Sequence, residues 1–213
     1  MRALRAQLLA TEHWSLLASR SSTQSEMLTR ITIFLALVSA GLVSLALIGQ
    51  ATRFEREFAR YSVIVLVIVA LVGIVTQIRV LVVANEDLMY VLAMNRLRAA
   101  YLELDPGLAP YVMASAHDDL AGSRRTYDFF GHRRSAIHLG GSSMALIVLV
   151  NSAILGLLAA SIARALDAAD WLAIVIGVVI AAVFFVANFV GVEKSYRRVW
   201  EQYAPVFPSG PAP

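Results

Sequence analysis

The densest set of side chains able to do chemistry is His117-Asp118-Asp119, an imidazole followed by two carboxylates. These are donors that a divalent cation uses. Neighbouring residues of a helix point about 100° apart, so no more than two of the three could share one ion. The competing assignment is a helix end whose carboxylates face solvent or pair with Arg124 and Arg125. A second group, Arg124, Arg125, Arg133 and Arg134 with His132 and His138 beside them, has the composition of a basic patch that attracts anionic lipid headgroups. Ordinary membrane topology asks for arginines at the same places.

Other chemistry is missing from the chain. It has no cysteine, hence no thiol nucleophile, thiolate metal site or disulfide. It also lacks a Gly-rich phosphate loop, an HExxH pair and a G-x-S-x-G elbow. The polar residues inside the apolar stretches are Thr32, Ser39, Ser44, Thr76, Gln77, Asn151, Ser152 and Asn188, with no Asp, Glu, Lys or His at mid-span. A proton relay needs ionisable groups at that depth, whereas a pore lined by hydroxyls and amides does not. The residues therefore predict a non-enzymatic protein without a cofactor. A net charge of +3 carried by arginines next to apolar blocks predicts no nucleic-acid partner.

The elements that carry these residues follow from hydropathy. Of 213 residues 59% are hydrophobic and only 15% charged, too apolar for a soluble domain of this length. The apolar residues gather into four blocks at about Ile31 to Ala51, Ser62 to Ala84, Ser143 to Ala163 and Trp171 to Val192. Each suits a helix crossing the hydrocarbon core. The predicted fold is an all-α membrane protein with four transmembrane helices as two hairpins, an N-terminal helix, and a long cytoplasmic extension of the second span. Its predicted divisions are 1–27, 28–84, 85–141, 142–192 and 193–213. The first apolar block starts too far in for a cleaved signal peptide.

Between the spans the punctuation is uneven. Residues 3–20 read as a helix that packs on its neighbours or lies on the membrane surface; Ser21 to Ser25 then breaks it, and Thr23 with Glu26 has capping-box spacing for a new start. No Gly or Pro stops the second span before Asp105, so its helix runs on. There Leu81, Asn85, Leu88, Leu92, Asn95, Ala99 and Leu102 step by four and three, a heptad seam that implies a partner helix and marks an assembly face. Asp105-Pro106-Gly107 ends it, Pro110 opens a short helix that Gly122 closes, and the tail from Pro205, with its four prolines, reads as disordered. Trp171, Tyr196, Trp200 and Tyr203 stand where interfacial aromatics belong.

Fourteen cationic residues flank the spans on one side and four (Arg53, Arg56, Arg60 and Arg164) occupy the two hairpin loops. The positive-inside rule puts both termini in the cytoplasm. Small residues recur every fourth position as Ala36, Ala40 and Ser44, and again as Ser152, Gly156 and Ala160, which permits close helix approach within one chain or between copies. The expected partners are membrane lipid and either further copies of the chain, which would surround a pore, or a larger membrane complex in which it is an accessory or scaffold subunit.

The segment Met94-Asn-Arg-Leu-Arg-Ala-Ala-Tyr-Leu-Glu-Leu-Asp-Pro106, with His117-Asp118-Asp119 and Thr126-Tyr127 after it, resembles a family of uncharacterised bacterial integral membrane proteins with four spans. The resemblance implies a bacterial inner-membrane location and transfers no functional residue. The layout of N-terminal helix, membrane hairpin and long cytoplasmic helix also resembles small two-span effector modules proposed to form pores in bacterial defence, from which this chain departs by its second hairpin.

Overall fold

The computed structural model describes residues 1–128 and 143–210. In chain order these form helix α1 (Arg2–Ala51), α2 (Arg56–Leu104), a 3-10 turn (Pro106–Tyr111), α3 (Leu120–Tyr127), α4 (Ser143–Ala165) and α5 (Asp170–Gln202). No strand occurs among the described residues. Four of the helices are long and apolar enough to cross a membrane: α1, α2, α4 and α5.

The chain divides into two compact units. An apolar unit comprises Met27–Leu81 and Leu139–Lys194, and a polar unit comprises Met1–Glu26, Val82–His138 and Ser195–Pro213. Helices α1, α2 and α5 each contribute to both.

The apolar unit is built around Phe34, Ile31, Leu66, Val69, Ala70, Val80, Ile147 and Ile154. Glycines let its helices approach. Gly41 of α1 faces Val69 and Val65 of α2, where an added Cβ would lie 3.1 Å from Val69. Gly156 of α4 faces Gly177 of α5 so closely that a Cβ on either would come within 2.7 or 2.8 Å of the other's carbonyl oxygen. The Ser152, Gly156, Ala160 stripe is thus used for packing inside one chain. The turn from α1 to α2 places Arg53 (φ 52) and Phe54 (φ 55) in the left-handed region. The Phe54 ring there covers Gly49, where any Cβ would fall 2.3 Å from it.

The polar unit departs from the sequence expectations in three ways. Residues Ser21 to Ser25 do not break α1, which runs unbroken through its 50 residues. Arg20 and Gln24 at this stretch are bonded to Asp87 of α2, and this tertiary anchoring outweighs the weak helix preference of the hydroxyl residues. The expected helix from Pro110 to Gly122 is instead a 3-10 turn followed by irregular, bent chain, and Gly122 lies inside α3. An added Cβ at Gly122 would sit 2.0 Å from the His117 carbonyl oxygen, so this glycine serves close packing and not termination. The tail is ordered through residue 210, because Val206, Phe207 and Ser209 give their backbone N–H groups to Asp118 and Asp119.

Within this unit α1 and α2 pair along their lengths. The half-buried residues of α1, Leu9, His13, Leu16, Arg20 and Thr23, step by four and three. They face α2, as the Arg20–Asp87 ion pair at 2.6 Å and the His13–Tyr101 ring stack at 5.9 Å show. An Arg5–Glu103 pair at 3.1 Å extends it, and its exposure makes it worth little by itself.

Candidate functional site

Asp118 is fully buried, and its carboxylate is the hub of the polar unit. Arg96 of α2 reaches it at 2.5 Å through Nε. The Tyr203 hydroxyl donates at 2.8 Å, and the backbone N–H groups of Val206 and Phe207 donate at 3.0 and 2.7 Å. The Asp118 N–H in turn donates to the Phe207 carbonyl at 3.2 Å. Burial alone would raise this carboxyl. The Val206 N–H, the Arg96 guanidinium, the Phe207 N–H and the Tyr203 hydroxyl outweigh it and hold the group down at about 2. Burial and the bond to Asp118 push the Tyr203 phenol up to about 12.

Asp119 caps α3, accepting from the Gly122 N–H at 2.7 Å. Its other oxygen takes the Ser209 N–H at 2.6 Å and the Ser209 hydroxyl. Burial is again outweighed, and the carboxyl is lowered.

The expected metal trio His117, Asp118 and Asp119 therefore has its carboxylate oxygens committed to protein donors, and no cluster of three or more potential ligands forms among the described residues. Nor is Arg124 or Arg125 the ion-pair partner of Asp118. That role belongs to Arg96, because the irregular stretch 112–119 carries Asp118 back onto α2. Arg124 and Arg125 are exposed on α3, and Arg133 and Arg134 lie outside the described residues.

The expected assembly seam is spent inside the chain. Leu88, Leu92 and Asn95 are buried and Leu81, Asn85 and Leu102 half-buried. Asn95 donates to the His117 carbonyl at 2.8 Å and accepts from Thr126 at 3.0 Å and Arg98 at 2.6 Å. Two heptad seams thus run side by side on α2, one facing α1 and the next taken up by the segment after the 3-10 turn and α3. The partner helix implied by the spacing is the chain's own.

A second carboxylate hub, Asp87, joins α1, α2 and α3. It accepts from Arg20 Nε at 2.6 Å and Nη2 at 3.1 Å, from Gln24 at 2.7 Å, and from the Tyr127 hydroxyl at 2.8 Å. Burial and the Asp87 charge raise the Tyr127 phenol. Nothing in local spacing marks Asp87, Arg96 or Tyr203, whose partners lie 22 to 107 positions away.

In the apolar unit three amides gather. Asn151 of α4 donates at 2.8 Å to Gln77 and at 2.9 Å to the Gly73 carbonyl of α2. Gln77 donates to Asn188 of α5 at 2.5 Å, and Asn188 donates to the Phe184 carbonyl at 2.8 Å. The Asn151 Oδ1 has no hydrogen-bond donor and faces Gly73, where a Cβ would lie 2.1 Å away. A Cα–H contact fits that geometry. These amides tie three helices together in a setting without water to replace them.

The remaining hydroxyls sit differently. Thr32, Ala36, Ser39, Val43, Ala46 and Gln50 of α1 step by four and three and are all exposed, as are Ala40 and Ser44 beside them. Thr32 and Ser39 donate to the Leu28 and Leu35 carbonyls, so the face carries no raw donors. Beside this face α1 also exposes Ile33, Leu42 and Leu47, and α2 and α5 expose bulky residues such as Ile64, Ile68, Leu71, Ile174, Val178 and Val183 without a run of small ones between them.

At the turns of the same unit a cavity of about 570 Å³ is lined by Phe54, Phe58, Ser62, Arg164, Asp167 and Asp170 among others. Arg164 there is bonded to the Ala168 carbonyl at 2.9 Å and to Asp170 at 2.5 Å. No protein-family model, curated protein or solved structure matches the chain.

Proposed function

We propose that this protein is a non-enzymatic, self-associating protein of the cytoplasmic membrane, whose copies meet along the exposed small-residue face of α1 and enclose a narrow path lined by its hydroxyls. The observation that carries the reading is the seam Thr32, Ala36, Ser39, Val43, Ala46 and Gln50, which no other helix among the described residues covers. Helices in lipid gain little from hiding apolar surface from one another, so they associate where small and hydroxylated residues let backbones come close. A lipid-facing surface has no such requirement, and α2 and α5 show bulky residues there. The arginine asymmetry supports placing the polar unit in the cytoplasm, since moving cations across the bilayer is costly.

The test is mass in lipid nanodiscs together with ion flux from liposomes. The expected result is an oligomer that conducts, with Ser39→Leu and Ala46→Leu reducing assembly and flux together. A monomer in lipid overturns the reading; an oligomer without flux retains the assembly and removes the path.

A further inference from the structure

The cavity at the two hairpin turns, about 570 Å³, has the size of a small-molecule site, roughly 300–1,000 Å³, and shares no residue with the α1 seam, the amide cluster or either carboxylate hub. Its lining combines three kinds of group. Ala59 of α2 with Leu157 and Ala160 of α4 supply an apolar wall, and the Phe54 and Phe58 rings meet edge to face with centroids 5.2 Å apart. Among the described lining residues three carboxylates, Glu55, Asp167 and Asp170, stand against one guanidinium, Arg164, which leaves the lining with two more negative than positive charges. Arg164 is itself engaged by Asp170 at 2.5 Å and by the Ala168 carbonyl at 2.9 Å. The exposed Arg53 and Arg60, close by in sequence, are not lining residues. Ser62 is buried and gives its proton to the Ala59 carbonyl at 2.9 Å, so its oxygen can only accept.

The backbone of both turns is set for this lining. The non-glycine residues with left-handed φ among those described, Arg53 (52), Phe54 (55) and Asp167 (66), all belong to these turns. For a side chain as bulky as Phe that conformation costs about 1 kcal/mol or more, and such positions gather where side-chain placement is used. Here they bring the Phe54 ring and the Asp167 carboxylate to the cavity. An anion would meet the surplus of carboxylates, and a hydrocarbon would give the Ser62 oxygen no donor. A primary ammonium on a short hydrocarbon chain satisfies every part of the lining: N–H donors for Ser62, positive charge for the carboxylates and the ring faces, and methylenes for the apolar wall. We propose that this cavity binds a primary alkylammonium group, carried either by a free amine or by the ethanolamine headgroup of a lipid.

The test is calorimetric titration of the full chain in maltoside micelles, with hexylammonium as probe, hexanoate as its anionic counterpart and empty micelles as the blank. Saturable binding of hexylammonium and none of hexanoate is expected. Glu55→Gln with Asp167→Asn should weaken that binding about tenfold, since each exposed charge pair contributes only a few-fold. Both substitutions keep side-chain size, and Asn tolerates the left-handed backbone at position 167. Should the double variant lose helix content, Ser62→Ala, which removes the buried acceptor, is expected to weaken binding several-fold in its place. No saturable binding, equal binding of hexanoate, or an affinity unchanged in the folded variant overturns the proposal. A lipid with an ethanolamine headgroup is then titrated against the bound probe, with a choline-headgroup lipid, which has no N–H, for comparison. Displacement by the first alone assigns the cavity to the headgroup, and displacement by neither assigns it to a free amine. Equal displacement by both overturns the proposal.

Discussion

Asp118 shows how one residue can organise a region when burial and hydrogen bonding oppose each other. Its folded carboxyl, held at about 2, lies below the value near 3.9 expected in an unfolded chain. The stability it contributes is therefore complete above about pH 4 and is lost as pH falls from there toward 2. The tail should loosen in that window, read as falling anisotropy of a label at Gly210→Cys, and Asp118→Asn should show the loosened state already at pH 7. Gly73 is the counterpart in the apolar unit. A Cβ there meets Asn151 at 2.1 Å and Phe34 at 2.9 Å, so Gly73→Ala should destabilise by about 1–3 kcal/mol in thermal unfolding in detergent. An unchanged midpoint would mean that the α2–α4 contact is looser than described. The sequence pointed to Asp118 and Asp119 as notable and could not tell what they bind, because Arg96, Tyr203 and the tail lie far along the chain. The amide cluster was legible as polar residues in apolar helices, but not as a single network.

At the scale of the elements, the pairing of α1 with α2 is the part that pH can reach under mild conditions. Burial, and then the Arg98 charge, lowers the His13 pKa, so the imidazole is held neutral in the pair. Stability from a depressed histidine is present above its unfolded value near 6.5 and is lost as pH falls below it. The exchange protection of residues 9–23, after correction for the intrinsic pH dependence of amide exchange, should fall between pH 7 and 5, and His13→Phe should remove that fall. Protection independent of pH in the wild type would contradict the stacked, half-buried position on Tyr101. Long helices were the most legible elements, since hydropathy and the absence of Gly or Pro dictate them. The uninterrupted α1 was not, because Ser21 to Ser25 has the composition of a boundary and only the bonds of Arg20 and Gln24 to Asp87 show otherwise. Leu88, Leu92 and Asn95 of the α2 heptad are buried within the chain, and spacing cannot distinguish a helix of another copy from the chain's own segments.

For the whole molecule, the apolar and polar units use the same long helices for different purposes. In the polar unit nearly every conspicuous seam is consumed internally, by α1, by the segment through Asp119, and by the tail. In the apolar unit Gly156 and Gly177 consume one small-residue stripe. The stripe on α1 remains, and self-association rests on it. The chain contains no cysteine, so single cysteines can be introduced without a background. The direct measurement is disulfide crosslinking in native membranes of single-cysteine variants at Thr32, Ala36, Ser39, Val43 and Ala46, with Ile68, Val178 and Val183 as lipid-facing comparisons. Dimers are expected at the α1 positions, periodic in steps of four and three, and none at the comparison positions. Crosslinking absent along α1, or equally strong on the bulky faces of α2 and α5, would contradict this.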